Sequence, residues 1–263
     1  MEEKNPFKLV SSKKTRLILP NLLTLIGVCL GISSIKFSLD QNYSLAVIFL
    51  IFAAILDTLD GRIARLIKGT SEFGKELDSL TDFVSFGIAP AFILYFWELK
   101  NYGKIGWAIT LIFSVCCVLR LARFNLTKIS EEAEWKRNYF EGIPSPAGAI
   151  LILLPLIYEL SELQFNIDIK KFTPYLVVIV AIFLISNVPT FSLKKIKVSS
   201  QLTIFLLFGI VVIFVSLIFF TFKALLLLGL LYSVSIPVSY FLYKRTSKQL
   251  SKIVKVEDHE DIL

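Results

Sequence analysis

Long apolar runs alternate with short polar segments along almost the whole chain. Eight of these runs are long enough to cross a membrane, near residues 17–37, 44–61, 79–98, 105–124, 143–160, 174–191, 202–222 and 224–243. A helix that spans a bilayer needs about 20 predominantly apolar residues. The pattern therefore predicts an all-α, polytopic membrane helix bundle with eight spans, followed by a charged tail that is helical in part at most.

Composition supports this class. The 263 residues are 55% hydrophobic and 19% charged, with a mean hydropathy of +0.71, which excludes disordered chains and small disulfide scaffolds. The net charge is +7. Membrane proteins carry an excess of Lys and Arg in their cytoplasmic loops, which accounts for this positive charge. We therefore expect no nucleic-acid partner. Cys29, Cys116 and Cys117 lie in apolar runs without metal-ligand spacing, and we interpret them as packing residues.

The distribution of basic residues predicts an orientation. With the N-terminus inside, 22 of the 28 Lys and Arg residues fall in inside segments and six in outside loops. The inside segments are 4–16, 62–75, 120–137, 194–197 and 244–255. Cytoplasmic loops carry the excess of Lys and Arg in membrane proteins. We therefore expect both termini to face the cytoplasm.

Two pairs of aspartates stand at the cytoplasmic ends of successive spans. Asp57 and Asp60 lie at the end of the second span, and Asp78 and Asp82 lie at the beginning of the third. Spacings of three and four residues place each pair on one helix face. Four carboxylates near lipid repel one another strongly unless cations neutralise them, and such oxygen ligands suit Mg²⁺, Mn²⁺ or Ca²⁺. The sequence predicts a divalent-metal site at this end of the bundle.

The segment between the two pairs, GRIARLIKGTSEFG, contains residues suited to phosphate. Arg62 and Arg65 are candidates to bind phosphate oxygens, since arginine does so bidentately. Gly61, Gly69 and Gly74 would allow close approach to backbone N–H groups. A carboxylate-bound metal beside arginine is what a diphosphate substrate needs.

These residues together resemble the signature of the CDP-alcohol phosphotransferases, D-x2-D-G-x2-A-R-x8-G-x3-D-x3-D. Every fixed position is filled, by Asp57, Asp60, Gly61, Ala64, Arg65, Gly74, Asp78 and Asp82. The segments DFVSFGIAP, RLARFN, FEGIPSPAGA and SNVPTFSLKK look like the bacterial phosphatidylserine synthases of that family. Those enzymes join CDP-diacylglycerol to L-serine and release CMP.

The resemblance implies a domain plan and a location. A cytoplasmic segment, 1–16, would precede a six-helix membrane core, 17–195; two additional transmembrane helices, 196–243, and a cytoplasmic tail, 244–263, would follow. It also implies a homodimer in the bacterial inner (plasma) membrane with its active site on the cytoplasmic side.

The resemblance also implies roles for individual residues. Four carboxylates would hold one or two divalent ions, Mg²⁺ or Mn²⁺ with Ca²⁺ as the other candidate: Asp57, Asp60, Asp78 and Asp82. Asp82 would in addition be the general base. The CDP-lipid site would be lined by Asn21, Thr24, Asp60, Gly61, Arg65, Ser71 and Gly74.

A serine pocket is a separate inference from the residues. Arg120 and Arg123 share a helix face at the cytoplasmic end of the fourth span, with Asn125 and Ser145 as candidate hydrogen-bond partners. Arginine is the natural partner for the carboxylate of serine. The other interpretation is that both arginines anchor the helix end or bind lipid phosphate.

Three alternatives to a phosphatidylserine synthase stay open. Within the same chemistry, the acceptor could be glycerol 3-phosphate or inositol phosphate, or the lipid could be an archaeal ether lipid, as in an archaetidylserine synthase. A cation transporter could use the four aspartates as an ion path, although they cluster at one membrane face. A structural scaffold would leave the acidic cluster unexplained.

Overall fold

The computed structural model describes residues 13–126, 139–163, 168–191 and 200–260. Within these ranges the chain is almost entirely helical. The α-helices are α1 (Lys13–Leu39), α2 (Tyr43–Leu66), α3 (Glu72–Asp82), α4 (Ala89–Trp97), α5 (Gly103–Leu126), α6 (Ser145–Leu160), α7 (Thr173–Ile185), α8 (Ser200–Phe219) and α9 (Thr221–Glu260). Short 3-10 helices at Leu99–Tyr102 and Ile169–Phe172 precede α5 and α7.

Among the residues that the structure describes, five helical stretches are long and apolar enough to cross a membrane, so the chain is a polytopic membrane bundle. They are Ile18–Leu39, Tyr43–Leu66, Glu72–Trp97, Leu99–Leu126 and Thr221–Thr246. The other three predicted spans coincide with shorter apolar helices, since α6 has 16 residues, α7 has 13 and the described apolar part of α8 is Leu207–Phe219. The prediction of a polytopic bundle is confirmed, and the count of eight spans stays a prediction.

The end of the predicted span 174–191 is wrong. Helix α7 stops at Ile185, and Pro189–Phe191 form a strand instead. This strand, β2, pairs antiparallel with β1 (Tyr139–Glu141), with Phe140 opposite Thr190. Proline disfavours helical backbone in the residue before it, which explains why the apolar run does not continue as a helix.

The charged tail is more helical than we predicted. Helix α9 continues through the predicted end of the last span to Glu260. The tail carries neither glycine nor proline after Pro237, so nothing in the sequence breaks the helix at the membrane boundary. The N-terminal segment up to residue 12, the boundary at 195–196 and the last three residues lie outside the described residues.

The third span is one helical rod with an irregular middle. Between α3 and α4 the residues Phe83–Ile88 form a π-helical turn. Pro90 lies at the start of α4, where its ring and its missing N–H prevent regular α-helical bonding to the preceding turn. The rod carries two of the four aspartates at its beginning.

The chain divides into two compact units. The first comprises Met1–Leu126 with Ser145–Ile185, and the second comprises Thr127–Pro144 with Ser186–Leu263. In the first unit, α4 and α6 supply much of the core, with Ile93, Leu94, Ile152 and Leu156 at most 1% exposed. Apolar side chains on α1, α2 and α5 are exposed, as expected for surfaces that face lipid.

Candidate active site

A tight turn brings the end of α2 next to the beginning of α3. Helix α2 ends in a Schellman motif, in which Gly69 N–H donates to the Ala64 carbonyl at 2.8 Å and Lys68 N–H to the Arg65 carbonyl at 3.3 Å. Lys68 adopts the left-handed conformation with φ of 53°. Ser71 then caps α3 by accepting a hydrogen bond from Gly74 N–H at 3.0 Å. The glycine-containing segment between the aspartate pairs is thus a helix–turn–helix corner.

Three of the four aspartates come together at this corner. One carboxylate oxygen from each of Asp57, Asp60 and Asp78 lies within 4.8 Å of the others. Asp60 is 3% exposed, and its carboxylate accepts a 2.5 Å hydrogen bond from the Thr24 hydroxyl of α1. Three helices therefore fix the position of this carboxylate cluster.

The chemistry of these donors fits a divalent ion. Carboxylate oxygens bind Mg²⁺ at about 2.0–2.1 Å and Ca²⁺ at about 2.3–2.6 Å, so two ligands of one ion lie at most roughly 4–5 Å apart. The oxygens of Asp57, Asp60 and Asp78 meet that condition. No rearrangement of the helices is required for these three residues to share an ion.

A cavity of about 310 Å³ opens beside the carboxylate cluster. All seven residues expected at a CDP-lipid site line it: Asn21, Thr24, Asp60, Gly61, Arg65, Ser71 and Gly74. Gly74 packs closely on α1, because a Cβ atom there would lie 3.0 Å from Asn21 Oδ1. Arg65 lies within electrostatic range of Asp78, so one cavity presents both cationic and anionic groups.

The cavity has seven further lining residues: Pro20, Ala64, Gly69, Thr70, Glu72, Lys75 and Asp78. The sequence analysis had placed Gly69 in the phosphate-binding segment, Asp78 at the metal and Ala64 in the signature, and it had given no role to the other four. Lys75 is the important omission, since it adds a second cation to the wall. Its position three residues before Asp78 places both on one face of α3, and that spacing was the signal available in the sequence.

Asp82 lies beside the carboxylate cluster without belonging to it. Its carboxyl group is a close neighbour of that of Asp57. A second, water-sized cavity of about 10 Å³ separates it from α1 and is lined by Thr24, Asp57, Asp60 and Asp82, among others. The Oδ1 atom of Asp82 is buried without a hydrogen-bond partner. Its role as a metal ligand and as a base stays a prediction.

The four residues of the predicted serine pocket separate into two places. The Arg120 guanidinium donates to the fully buried Ser145 hydroxyl at 2.6 Å and lies within electrostatic range of Asp82. Arg123 instead donates to the Ile185 carbonyl at the end of α7, at 2.7 Å. The Asn125 side chain donates to Ser79 at 2.9 Å. Arg120 is thus placed near Asp82, and Ser145 holds its guanidinium.

Comparison with known proteins agrees with the geometry. Residues 17–186 match the CDP-alcohol phosphatidyltransferase family. A protein of Mycobacterium leprae is 39% identical over 185 residues, which cover 69% of this chain and 60% of that protein's own length. A protein of Helicobacter pylori is 35% identical over 202 residues, covering 77% and 81%.

A Bacillus subtilis protein is 35% identical over 142 residues, covering 54% of this chain and 77% of its own length. All three relatives are named CDP-diacylglycerol–serine O-phosphatidyltransferase. The family match includes the whole segment from Asp57 to Asp82, which forms the corner, the carboxylate cluster and one wall of the cavity. The chain belongs to the CDP-alcohol phosphatidyltransferase family.

Proposed function

We propose that this protein is a phosphatidylserine synthase, which transfers the phosphatidyl group of CDP-diacylglycerol to the hydroxyl of L-serine and releases CMP. The observation that carries the proposal is the carboxylate cluster of Asp57, Asp60 and Asp78 beside a cavity that also presents Arg65. The names of the relatives support serine as the acceptor.

The cavity suits the donor substrate. Arg65 and Lys75 provide positive charge for phosphate oxygens, Gly61 adds no side chain to the wall, and Gly74 allows α3 to pack closely on Asn21. Asp57, Asp60 and Asp78 would hold Mg²⁺ or Mn²⁺, which would neutralise negative charge that develops on the diphosphate oxygens. Asn21 and Thr24 of α1 would contact the nucleotide from the opposite wall.

Asp82 and Arg120 suit the acceptor. The serine hydroxyl oxygen forms a bond to the phosphatidyl phosphorus, and the bond from that phosphorus to the CMP oxygen breaks with its electron pair leaving on CMP. Asp82 takes the hydroxyl proton. Arg120, held by Ser145, pairs with the serine carboxylate, whereas Arg123 and Asn125 stay outside the pocket and act on helix packing.

The setting of the reaction is part of the proposal. The carboxylate cluster faces the cytoplasm of a bacterial cell, on the side that carries the excess of Lys and Arg. The protein acts as a homodimer, with residues 17–195 as the catalytic core and the two following helices as an extension.

A transfer assay tests the proposal. Purified protein is incubated with CDP-diacylglycerol, Mn²⁺ or Mg²⁺ and labelled L-serine, glycerol 3-phosphate or inositol phosphate in separate reactions. We expect label in lipid and stoichiometric CMP with serine alone. Transfer to another alcohol would reassign the acceptor, and absence of CMP release with every alcohol would reject the activity.

Two variants test the proposed base. Asp82→Asn should abolish turnover while CDP-diacylglycerol still binds, because the amide cannot accept the proton. The matched control is Asp168→Asn, the same change at an exposed residue beyond the far end of α6, which should leave turnover unchanged. Retained turnover in Asp82→Asn would assign the base elsewhere.

A further inference from the structure

Helix α5 turns one polar stripe towards the segment that carries Asp82. Ser114, Cys117 and Arg120 are spaced three residues apart and therefore share a helix face. Ser114 donates to the Gly87 carbonyl at 3.1 Å. Cys117 packs against Gly87, where a Cβ atom would lie 3.1 Å from its sulfur. Two of the three residues thus contact the π-helical turn directly.

Neighbouring helices contact the π-helical turn where its own bonding is incomplete. Asp82 is the residue immediately before it, and Ala89 N–H closes the turn on the Val84 carbonyl. Pro90 follows and has no N–H to donate, so a carbonyl one turn earlier accepts no bond from this position. The single Ser114 hydroxyl proton has two carbonyl acceptors within reach, that of Gly87 at 3.1 Å and that of Thr110 on its own helix at 3.2 Å; the bond to Gly87 ties α5 to the turn.

Helix α1 closes the opposite side of the turn. Gly31 approaches Ser85 so closely that a Cβ atom on the glycine would lie 2.7 Å from Ser85 Oγ and 3.1 Å from Ser85 Cα. The turn is therefore clamped between a glycine on α1 and a hydroxyl on α5. Beyond the turn, α4 is fixed in the core, with Ile93 and Leu94 fully buried.

The direction of Asp82 depends on this clamp. A π-helical turn contains more residues than an α-helical turn, so a change to regular α-helix would rotate α3 relative to the fixed α4. That rotation would turn Asp82 away from Asp57, with which it lines the small cavity. We propose that Ser114 is a positioning residue, whose bond to Gly87 holds the π-helical turn and so directs the Asp82 carboxyl into the site.

The catalytic consequence rests on the proposed function and is tested in the transfer assay. Ser114→Ala should lower kcat by about 10–100-fold, the cost of a misplaced catalytic group, with KM for CDP-diacylglycerol unchanged. Ser114→Thr keeps a hydroxyl and should restore kcat. Ser33→Ala is the control, since Ser33 bonds only the Cys29 carbonyl of its own helix among the hydrogen bonds described, and it should keep kcat.

The outcomes separate positioning from general stability. A kcat loss confined to Ser114→Ala at an unchanged melting temperature supports the proposal. Wild-type kcat in Ser114→Ala overturns it, as does a loss that Ser114→Thr shares or that accompanies an equal fall in melting temperature and KM.

A second readout does not depend on activity. Asp82→Cys is labelled with a water-soluble methanethiosulfonate, and the modification at residue 82 is followed by peptide mass spectrometry. Its rate should change severalfold when Ser114→Ala is added and stay constant with Ser114→Thr. Equal rates in all three backgrounds overturn the positioning role. Failure of wild-type protein to release CMP would reject the synthase activity, while the labelling rates would still decide the role of Ser114.

Discussion

Arg120 and Arg123 lie three residues apart on α5 but have different partners. Arg120 bonds the buried Ser145 beside Asp82, and Arg123 bonds the carbonyl of Ile185. A cation at the end of a helix stabilises the carbonyls left without intrahelical donors. Under the proposed function, Arg120 would bind the substrate and Arg123 would stabilise the fold.

Alanine substitutions should distinguish these roles. Arg120→Ala should raise KM for serine roughly tenfold or more, since a hydrogen bond to a charged group is worth about 1.5–3 kcal/mol. Arg123→Ala should lower the melting temperature and leave KM for serine within about twofold, because it removes a contact to α7 worth about 1 kcal/mol. Steady-state kinetics measure KM for serine in both variants, and thermal melts measure their melting temperatures. A KM effect that follows Arg123 would reverse the assignment.

At the scale of single residues, the sequence predicted which carboxylates come together better than it predicted the hydrogen-bond partners of the basic and amide side chains. Fixed spacing was enough to group Asp57, Asp60 and Asp78, because helical periodicity and the shared membrane side determine where they point. Spacing was not enough for Arg123 and Asn125, whose partners Ile185 and Ser79 belong to other helices. The choice between two nearby long side chains depends on tertiary packing, which periodicity does not contain.

Glycines allow the helices around the site to approach one another. Gly31 meets Ser85 of the π-helical turn, and Gly148 of α6 meets Leu184 of α7, where a Cβ atom would lie 2.9 Å from the leucine Cδ2. Gly31 is thus a packing position of α1. Small residues matter between membrane helices because packing, more than hydrophobicity, drives their association.

Gly31→Leu should therefore destabilise the protein. Its side chain would have to displace Ser85 and the turn, an overpacking cost of about 1–3 kcal/mol. Gly209→Leu is the control, because among the described residues no atom beyond the backbone of its own helix lies within 4 Å of a Cβ built there, and its melting temperature should not fall. Thermal melts in detergent compare the two variants. Equal stability of both would show that the α1 contact is not tight in solution.

Local irregularities were the part of the fold that hydropathy did not predict. The π-helical turn at Phe83–Ile88 and the β1–β2 pair lie within or next to apolar runs. The mean hydropathy of such a run predicts a continuous helix. Pro90 and Pro189 were signals for both, since proline removes a donor and restricts the residue before it. Which irregular structure a proline produces depends on neighbours such as Ser114.

On the scale of the whole molecule, the apolar helices identify a membrane protein and the charges predict its orientation. The asymmetry of 22 to six basic residues favours a cytoplasmic carboxylate cluster. In the structure, Asp57 and Asp60 lie in the second half of α2 and Asp78 lies in α3, the next helix along the chain.

Labelling of single cysteines tests the orientation. Lys104→Cys, at the beginning of α5, should react with a membrane-impermeant maleimide in intact cells. Lys68→Cys, at the corner between α2 and α3, should react only after the membrane is opened, with the parent chain as the control for its own cysteines. The reverse pattern would place the cluster on the outside.

The central claim is that Asp57, Asp60 and Asp78 share a divalent ion, and direct Mn²⁺ binding tests it. The electron paramagnetic resonance signal of free Mn²⁺ should fall in a saturable way on titration with wild-type protein. Replacing any of the three aspartates by asparagine should weaken binding by at least about tenfold, whereas Asp168→Asn should bind as wild type. Equal Mn²⁺ affinity in wild-type protein and all three asparagine variants would contradict the account.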